Sequence, residues 1–168
     1  MASRFSRRPS NTDLLRRTGR LDAVISTAGR AAFRRLSDIQ PAILDALVYS
    51  LGLKDKLMGQ VNLALAARDV LAPGGSIALT SGTTSDNPIL GGSLLSMVNG
   101  ALEHWVQAAA TEMPNGLRLN VVSPRLDEGT PAEAVQAFPG FELVCPRRVG
   151  LTCLRCLEGG VSGKIVRV

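Results

Sequence analysis

Aromatic residues make up only 4% of this 168-residue chain; Tyr49 is its one tyrosine, and lysine occurs only at Lys54, Lys56 and Lys164. A core must therefore be built from Ala, Val, Leu and Ile, the usual filling of a parallel sheet covered by helices, which favours α/β over a β-sandwich. The three cysteines, an odd number, argue against a disulfide framework and fit a reducing compartment, so a cytoplasmic location is expected. Long apolar runs are missing too. Arg68 and Asp69, or Gly and polar residues, interrupt each candidate before the roughly 18 to 20 residues that a membrane helix needs, so no membrane partner is expected.

Acidic residues are scarce at the start. Arg4, Arg7, Arg8, Arg16, Arg17, Arg20, Arg30, Arg34 and Arg35 crowd the first quarter and account for much of the net charge of +5. Residues 1–10 read as a disordered basic tail ahead of a single domain over 11–168. Transit peptides and nucleic-acid arms share that composition, but no Lys/aromatic interleaving or binding motif follows, so no nucleic-acid partner is expected.

Hydrophobic periodicity and turn residues mark the elements. Asn11 or Thr12 caps a short helix through Arg17, and Gly19 stops it. Leu21 to Ala28 reads as a buried strand, and Ser37 and Asp38 precede a helix from about Pro41 to Ser50. Leu57, Val61, Leu65 and Val70 recur at near-helical spacing over Lys54 to Leu71, which Pro73, Gly74 and Gly75 follow. Ser76 to Ser81 is a second strand with a hydroxyl-rich tip, where parallel sheets place ligands. A broadly apolar helix covers about Leu94 to Met113. Leu117 to Ser123 is a third strand, and Asp127 to Gly140 a loop or short helix. A helix over Arg147 to Leu157 and a strand over Lys164 to Val168 end the chain. Alternation of strand and helix predicts a parallel sheet with right-handed crossovers.

Three candidate sites reduce to simpler readings. Cys153-x-x-Cys156 lacks the further ligands zinc needs and lies inside an amphipathic helix, so structural cysteines and no metal are expected. His104 with Ser81 and Asp127 suggests a hydrolase, but no Gly-x-Ser-x-Gly elbow exists and His104 reads as a surface or interface residue. Trp105 reads as a packing anchor.

Four segments in order then resemble one family. Asp22 to Gly29 (DAVISTAG) is similar to the Asn-Asn-Ala-Gly strand end of the short-chain dehydrogenases/reductases, and Gly74 to Gly82 (GGSIALTSG) to the strand that delivers their catalytic serine. Gly100 to Met113 (GALEHWVQAAATEM) resembles their dimer-interface helix, and Leu117 to Pro124 (LRLNVVSP) their strand ending Asn-x-Val-x-Pro-Gly. The resemblance implies a Rossmann-type three-layer α/β sandwich with NAD(P) across the strand tips. It also implies a homo-oligomer through helices 54–71 and 94–113. Against the family's strand order 3-2-1-4-5-6-7 the chain starts just before the fourth strand. It is expected to lack the first strands and the Gly-rich turn that holds the cofactor pyrophosphate.

The family's catalytic positions are altered as well. The resemblance puts Gly82 at the serine, with Ser81 beside it, Leu95 at the proton-exchanging tyrosine, Asn99 at the lysine and Lys56 at the relay asparagine. No register places Tyr-x-x-x-Lys after Ser81, so no catalytic set is intact. Thr27, Ala28, Gly29, Ser81, Asn99 and Pro124 stand at cofactor-binding positions, and Ser81, Ser96 and Asn99 are the polar residues expected around the site. The inherited function is NAD(P)-dependent oxidoreduction of a carbonyl or alcohol, expected to be inactive or severely impaired. A non-catalytic dimer-forming domain and an incomplete gene product are the alternatives.

Overall fold

A computed structural model describes residues 11–40 and 47–168. Helix α1 (Asn11–Arg17) lays Leu15 into the core and ends where the Thr18 hydroxyl donates to the Leu15 carbonyl, ahead of Gly19 at φ 78°. Strand β1 (Leu21–Ile25) follows. After a loop, a continuous helical stretch begins with α2 (Leu47–Ser50). It widens into a π-helical segment at Leu51–Leu57 and continues as α3 (Met58–Arg68). Then come β2 (Leu71–Thr80), α4 (Ser93–Ala109), β3 (Arg118–Ser123), the single turn α5 (Ala132–Val135), α6 (Pro146–Glu158) and β4 (Ile165–Arg167). The expected tail at 1–10 and residues 41–46 of the expected Pro41–Ser50 helix lie outside the described residues.

All strand pairs are parallel, in the order β1-β2-β3-β4. Successive side chains of a strand point to opposite faces. Ile77, Leu79, Leu119 and Val121 therefore pack on one side with Val61, Ala64, Ala67, Leu102 and Val106 of α3 and α4. Ala78 and Val122 pack on the other with Cys153 and Cys156 of α6, Val144 and Val168. Sheet and two helical layers form the expected Rossmann-type α/β sandwich.

Element ends depart from the sequence reading for local reasons. β1 stops at Ile25 rather than Ala28. The Ser26 amide still donates to the Ala78 carbonyl (2.9 Å), but Gly29 at φ 125° turns the chain away. β2 begins at Leu71, ahead of Ser76, and contains Pro73-Gly74-Gly75. Leu21 pairs with Leu71 and Ala23 with Ser76, so the extra β2 residues bulge out at the start of the strand, before its pairing with β3 begins at Ser76, where a missing amide is tolerated. Gly75 is required there: a Cβ would lie 2.9 Å from both the Ala72 and Asp22 carbonyl oxygens. β1 is the edge strand of the described sheet, and Ile25 on it is 44% exposed. Among the described residues no helix is long and apolar enough to cross a membrane.

Candidate functional site

Open parallel sheets bind ligands beyond the carboxyl ends of their strands, and here the tips of β1 and β2 carry a buried polar cluster. Gln60 of α3, buried, accepts from the Thr80 amide (2.8 Å) and donates to the Thr80 carbonyl (2.9 Å), pairing with the last residue of β2 as a neighbouring strand would. The Thr80 hydroxyl donates to the Ser26 carbonyl (2.7 Å) and ties β1 to the same point.

Beyond Thr80, three helical positions converge. Leu95, Asn99 and Glu103 stand at i, i+4 spacing and share one face of α4. The Glu103 carboxylate is 2% exposed and accepts from the hydroxyls of Ser81 (2.6 Å) and Ser85 (2.8 Å). Two hydroxyl donors compensate part of the cost of burying that carboxylate. Asn99 donates through Nδ2 to the Thr84 hydroxyl (2.9 Å) and the Gly82 carbonyl (3.3 Å), while its Oδ1 is buried without a partner. Ser96 donates to the Thr84 carbonyl (2.6 Å).

Lys56 enters from the π-helical segment, and its Nζ donates to the Ser81 carbonyl (3.0 Å). Burial pushes this ammonium below the usual lysine value, against the smaller raising effect of the Glu103 carboxylate. The Lys56 backbone packs against the turn after β1: a Cβ on Gly29 would lie 2.6 Å from the Lys56 Cα. Arg30 fastens that turn, its amide donating to Asp55 Oδ2 (3.2 Å). Lys56 and Asn99 thus donate to consecutive carbonyls, Ser81 and Gly82, from two neighbouring helical elements.

The residues expected at the site divide sharply. Ser81, Gly82, Asn99 and Lys56 meet at the tip of β2, and Leu95 lies half-buried on the same α4 face. Gly82 fits the close approach of Asn99, whose Nδ2 would stand 3.1 Å from a Cβ there. Thr27, Ala28 and Gly29 are exposed, and the Pro124 carbonyl accepts from the Thr83 amide (3.0 Å). The expectation that Ser81, Ser96 and Asn99 alone supply the polar groups is corrected: Lys56, Gln60, Thr84, Ser85 and Glu103 join them. Glu103 was missed because an acid beside His104 reads as a solvated pair; its i+4 spacing from Asn99 was the available signal. Gln60 was missed because an amide within an apolar helical stripe carries no motif.

The hydrolase alternative finds no support. His104 is exposed and its Nδ1 contacts the Gly100 carbonyl (2.9 Å), Asp127 accepts from the Gly129 amide, and Ser81 bonds Glu103. All three cysteines are free, and no group of three metal-ligating side chains occurs among the described residues.

A nicotinamide cofactor can be tested against these groups. Lys56 uses one of its three protons on Ser81, leaving two for ligand oxygens, and the buried, orphaned Asn99 Oδ1 is an acceptor in the same cluster. Together they fit a pair of sugar hydroxyls. The other end of such a cofactor would lie over the exposed Thr27–Gly29 turn, where Arg30 is paired with Asp55 and Lys56 is turned to the Ser81 carbonyl.

Fold and polar cluster define an open parallel α/β protein with its candidate site at the strand tips. The family model described as enoyl-(acyl carrier protein) reductase matches residues 10–149, and the chain belongs to the short-chain dehydrogenase/reductase family of oxidoreductases. A curated relative, 1-cyclohexenylcarbonyl-CoA reductase of Streptomyces collinus, is 30% identical over 139 residues, 80% of this chain and 48% of the relative. The chain therefore spans about half that relative's length. The solved structure of the protein lin1944 from Listeria innocua is 32% identical with a TM-score of 0.85, over 94% of this chain and 76% of the other. A small-chain dehydrogenase solved in complex with NADPH shares the fold at 22% identity and a TM-score of 0.78, over 94% and 76% of the two chains.

Proposed function

We propose that this chain is a short-chain dehydrogenase/reductase in which NAD(P)-dependent oxidoreduction of a carbonyl or alcohol is absent or severely slowed. The observation that carries the reading is the face of α4, which presents Leu95 and Asn99 where the family resemblance requires a proton-exchanging tyrosine and its lysine. A nicotinamide supplies a hydride when bound; the proton must come from the protein. Leu95 has none to exchange, Asn99 carries no charge to tune a neighbour, and the Ser81 hydroxyl is committed to Glu103. Binding of NAD(P) is supported by the NADPH complex of a structural relative and by the uncommitted groups of Lys56 and Asn99.

Titration with NADPH and NADH by calorimetry, followed by turnover with a panel of ketones and enones, tests the reading. Turnover is expected to be undetectable, and Leu95→Tyr combined with Asn99→Lys is expected to raise it by about a hundredfold or more. Wild-type turnover that this pair of substitutions does not improve overturns the proposal.

A second reading, a homo-oligomer through helices 54–71 and 94–113, is favoured by three exposed apolar side chains on those helices. Met58 is 43% exposed, Leu65 39% and Met97 44%. Light scattering should report a dimer that Met97→Glu dissociates.

A further inference from the structure

Cys145 lines a cavity of about 450 Å³ at the start of α6. Of the Ser81 cluster, neither Lys56, Ser81, Asn99 nor Glu103 lines it. Val144 and Val168 in its wall belong to the apolar cluster under α6, on the opposite side of the sheet from α3 and α4. Such a volume lies within the usual range for a small-molecule pocket.

The start of α6 is built against the usual pattern. A helix favours an oxygen-bearing cap and acids in its first turn, because its first amides have no intrahelical acceptor and its N-terminus carries partial positive charge. Here the cap is Cys145, whose side chain bonds none of those amides, and the first turn carries Arg147 and Arg148 with no acid. Positive charge is thus concentrated beside an exposed thiol, whereas Cys153 and Cys156 are buried and burial pushes their thiols up.

The other charges of the cavity are largely engaged. Arg167 donates to Asp86 (2.7 Å), and Arg125 lies 3.4 Å from Glu142. Arg148 and Glu128 remain, without an ion pair among the described residues. An independent feature points into the same space: Ser123, 2% exposed, lines the cavity, and its Oγ is buried with no hydrogen-bond partner among the described residues. A buried hydroxyl is costly to leave unpaired, and a polar atom of a ligand would satisfy it. Arg148 and the helix start are positive, Glu128 is negative and Ser123 is neutral. That set complements a ligand with two carboxylates and one ammonium.

We propose that Cys145 undergoes thiol–disulfide exchange with a small acidic peptide disulfide of the glutathione type, its carboxylates on Arg148 and the α6 N-terminus and its ammonium on Glu128. The Cys145 thiolate attacks one sulfur of the disulfide, and the new S–S bond forms as the old one breaks. The Cys145 proton passes to water, and the departing peptide leaves as a thiolate that takes up a proton. The Cys145 sulfur is oxidised and the departing sulfur reduced. The proposal is independent of the reductase reading, because it uses none of the Ser81, Lys56 or Asn99 groups.

Oxidised glutathione and the uncharged 2-hydroxyethyl disulfide, each incubated with the folded full chain and followed by peptide mass mapping, test it. Each rate at Cys145 is divided by the rate of the same disulfide with N-acetylcysteine amide, which removes the intrinsic difference between the reagents. Oxidised glutathione is expected to be favoured about tenfold at Cys145, as for one charge-assisted contact, with Cys153 and Cys156 unmodified. Arg148→Gln should remove most of that preference and leave the hydroxyethyl rate unchanged, and Ser123→Ala should lower the preference about threefold. An unchanged circular dichroism spectrum shows that both variants fold. Equal normalised rates, a preference that either substitution leaves intact, or modification of Cys153 or Cys156 ahead of Cys145 overturns the proposal.

Discussion

The two faces of the sheet are held by different physics. Under α3 and α4 the contact is almost wholly apolar: Ile77, Leu79, Leu102, Val106, Leu119 and Val121 are completely buried. Under α6 the apolar cluster is smaller, and side chains reach across to pin main-chain groups instead. Ser76 donates to the Cys156 carbonyl (3.0 Å), Arg118 to the Leu157 carbonyl (2.7 Å) and Asn120 to the Val161 carbonyl (2.9 Å), while Asn120 Oδ1 accepts from the Lys164 amide (3.1 Å). The first face gains stability from area removed from water and tolerates sliding; the second fixes register, because its side chains bond particular main-chain groups at directional geometry. The Ser81 cluster combines the two. It sits at the end of the apolar face but is built from directional bonds, so charges of α4 and the π-helical segment are held at defined points.

Substitutions can break this contrast, in decreasing order of effect. Leu102→Ala removes a completely buried side chain from the apolar face and should cost about 3 kcal/mol in urea unfolding. A cost below about 1 kcal/mol would mean that this face is loosely packed. Asn120→Ala leaves the Val161 carbonyl and Lys164 amide without their partner and should cost about 2 kcal/mol. Amide exchange should rise in β4 more than in α4; a uniform rise would show that Asn120 does not act as a local pin.

The smallest effect concerns pH. Burial lowers the folded-state value of Lys56 from its ordinary 10.5, so the unfolded chain binds the proton more tightly. The resulting penalty is full at low pH, shrinks as pH rises through the folded value and is gone above the unfolded one, so this group makes stability increase with pH over that window. The thiols of Cys153 and Cys156 are raised by burial and oppose the trend, losing stabilisation as pH climbs past 9.0. They are unchanged in Lys56→Met. Denaturation curves across the alkaline range should show wild type gaining stability relative to Lys56→Met, and a constant difference would place the ammonium in water.

Much of the architecture was legible in the chain. Short apolar runs bounded by Gly and Pro located all four strands, because a strand buried on both faces needs continuous apolar side chains wherever the sheet is covered. Boundaries were less legible. The Pro73-Gly74-Gly75 run reads as a stop, yet it becomes a bulge in the first half of β2, before the pairing with β3 begins. The candidate site was half visible. Ser81, Asn99 and Lys56 could be named from motif positions, but their direction could not, since it depends on how far the π-helical segment rotates Lys56 and on how closely Gly82 lets α4 approach.

Composition and periodicity alone determined a parallel α/β domain with an Ala/Val/Leu/Ile core, and residue identity alone determined that no tyrosine–lysine pair follows Ser81. Those properties depend on what each side chain is, and no packing alters them. Tertiary structure decided that Glu103 is buried while its neighbour His104 is exposed, and that Gln60 pairs with a strand end. Such outcomes depend on which groups are brought within hydrogen-bond reach across distant segments, and a buried charge is tolerable only where the fold supplies its partners.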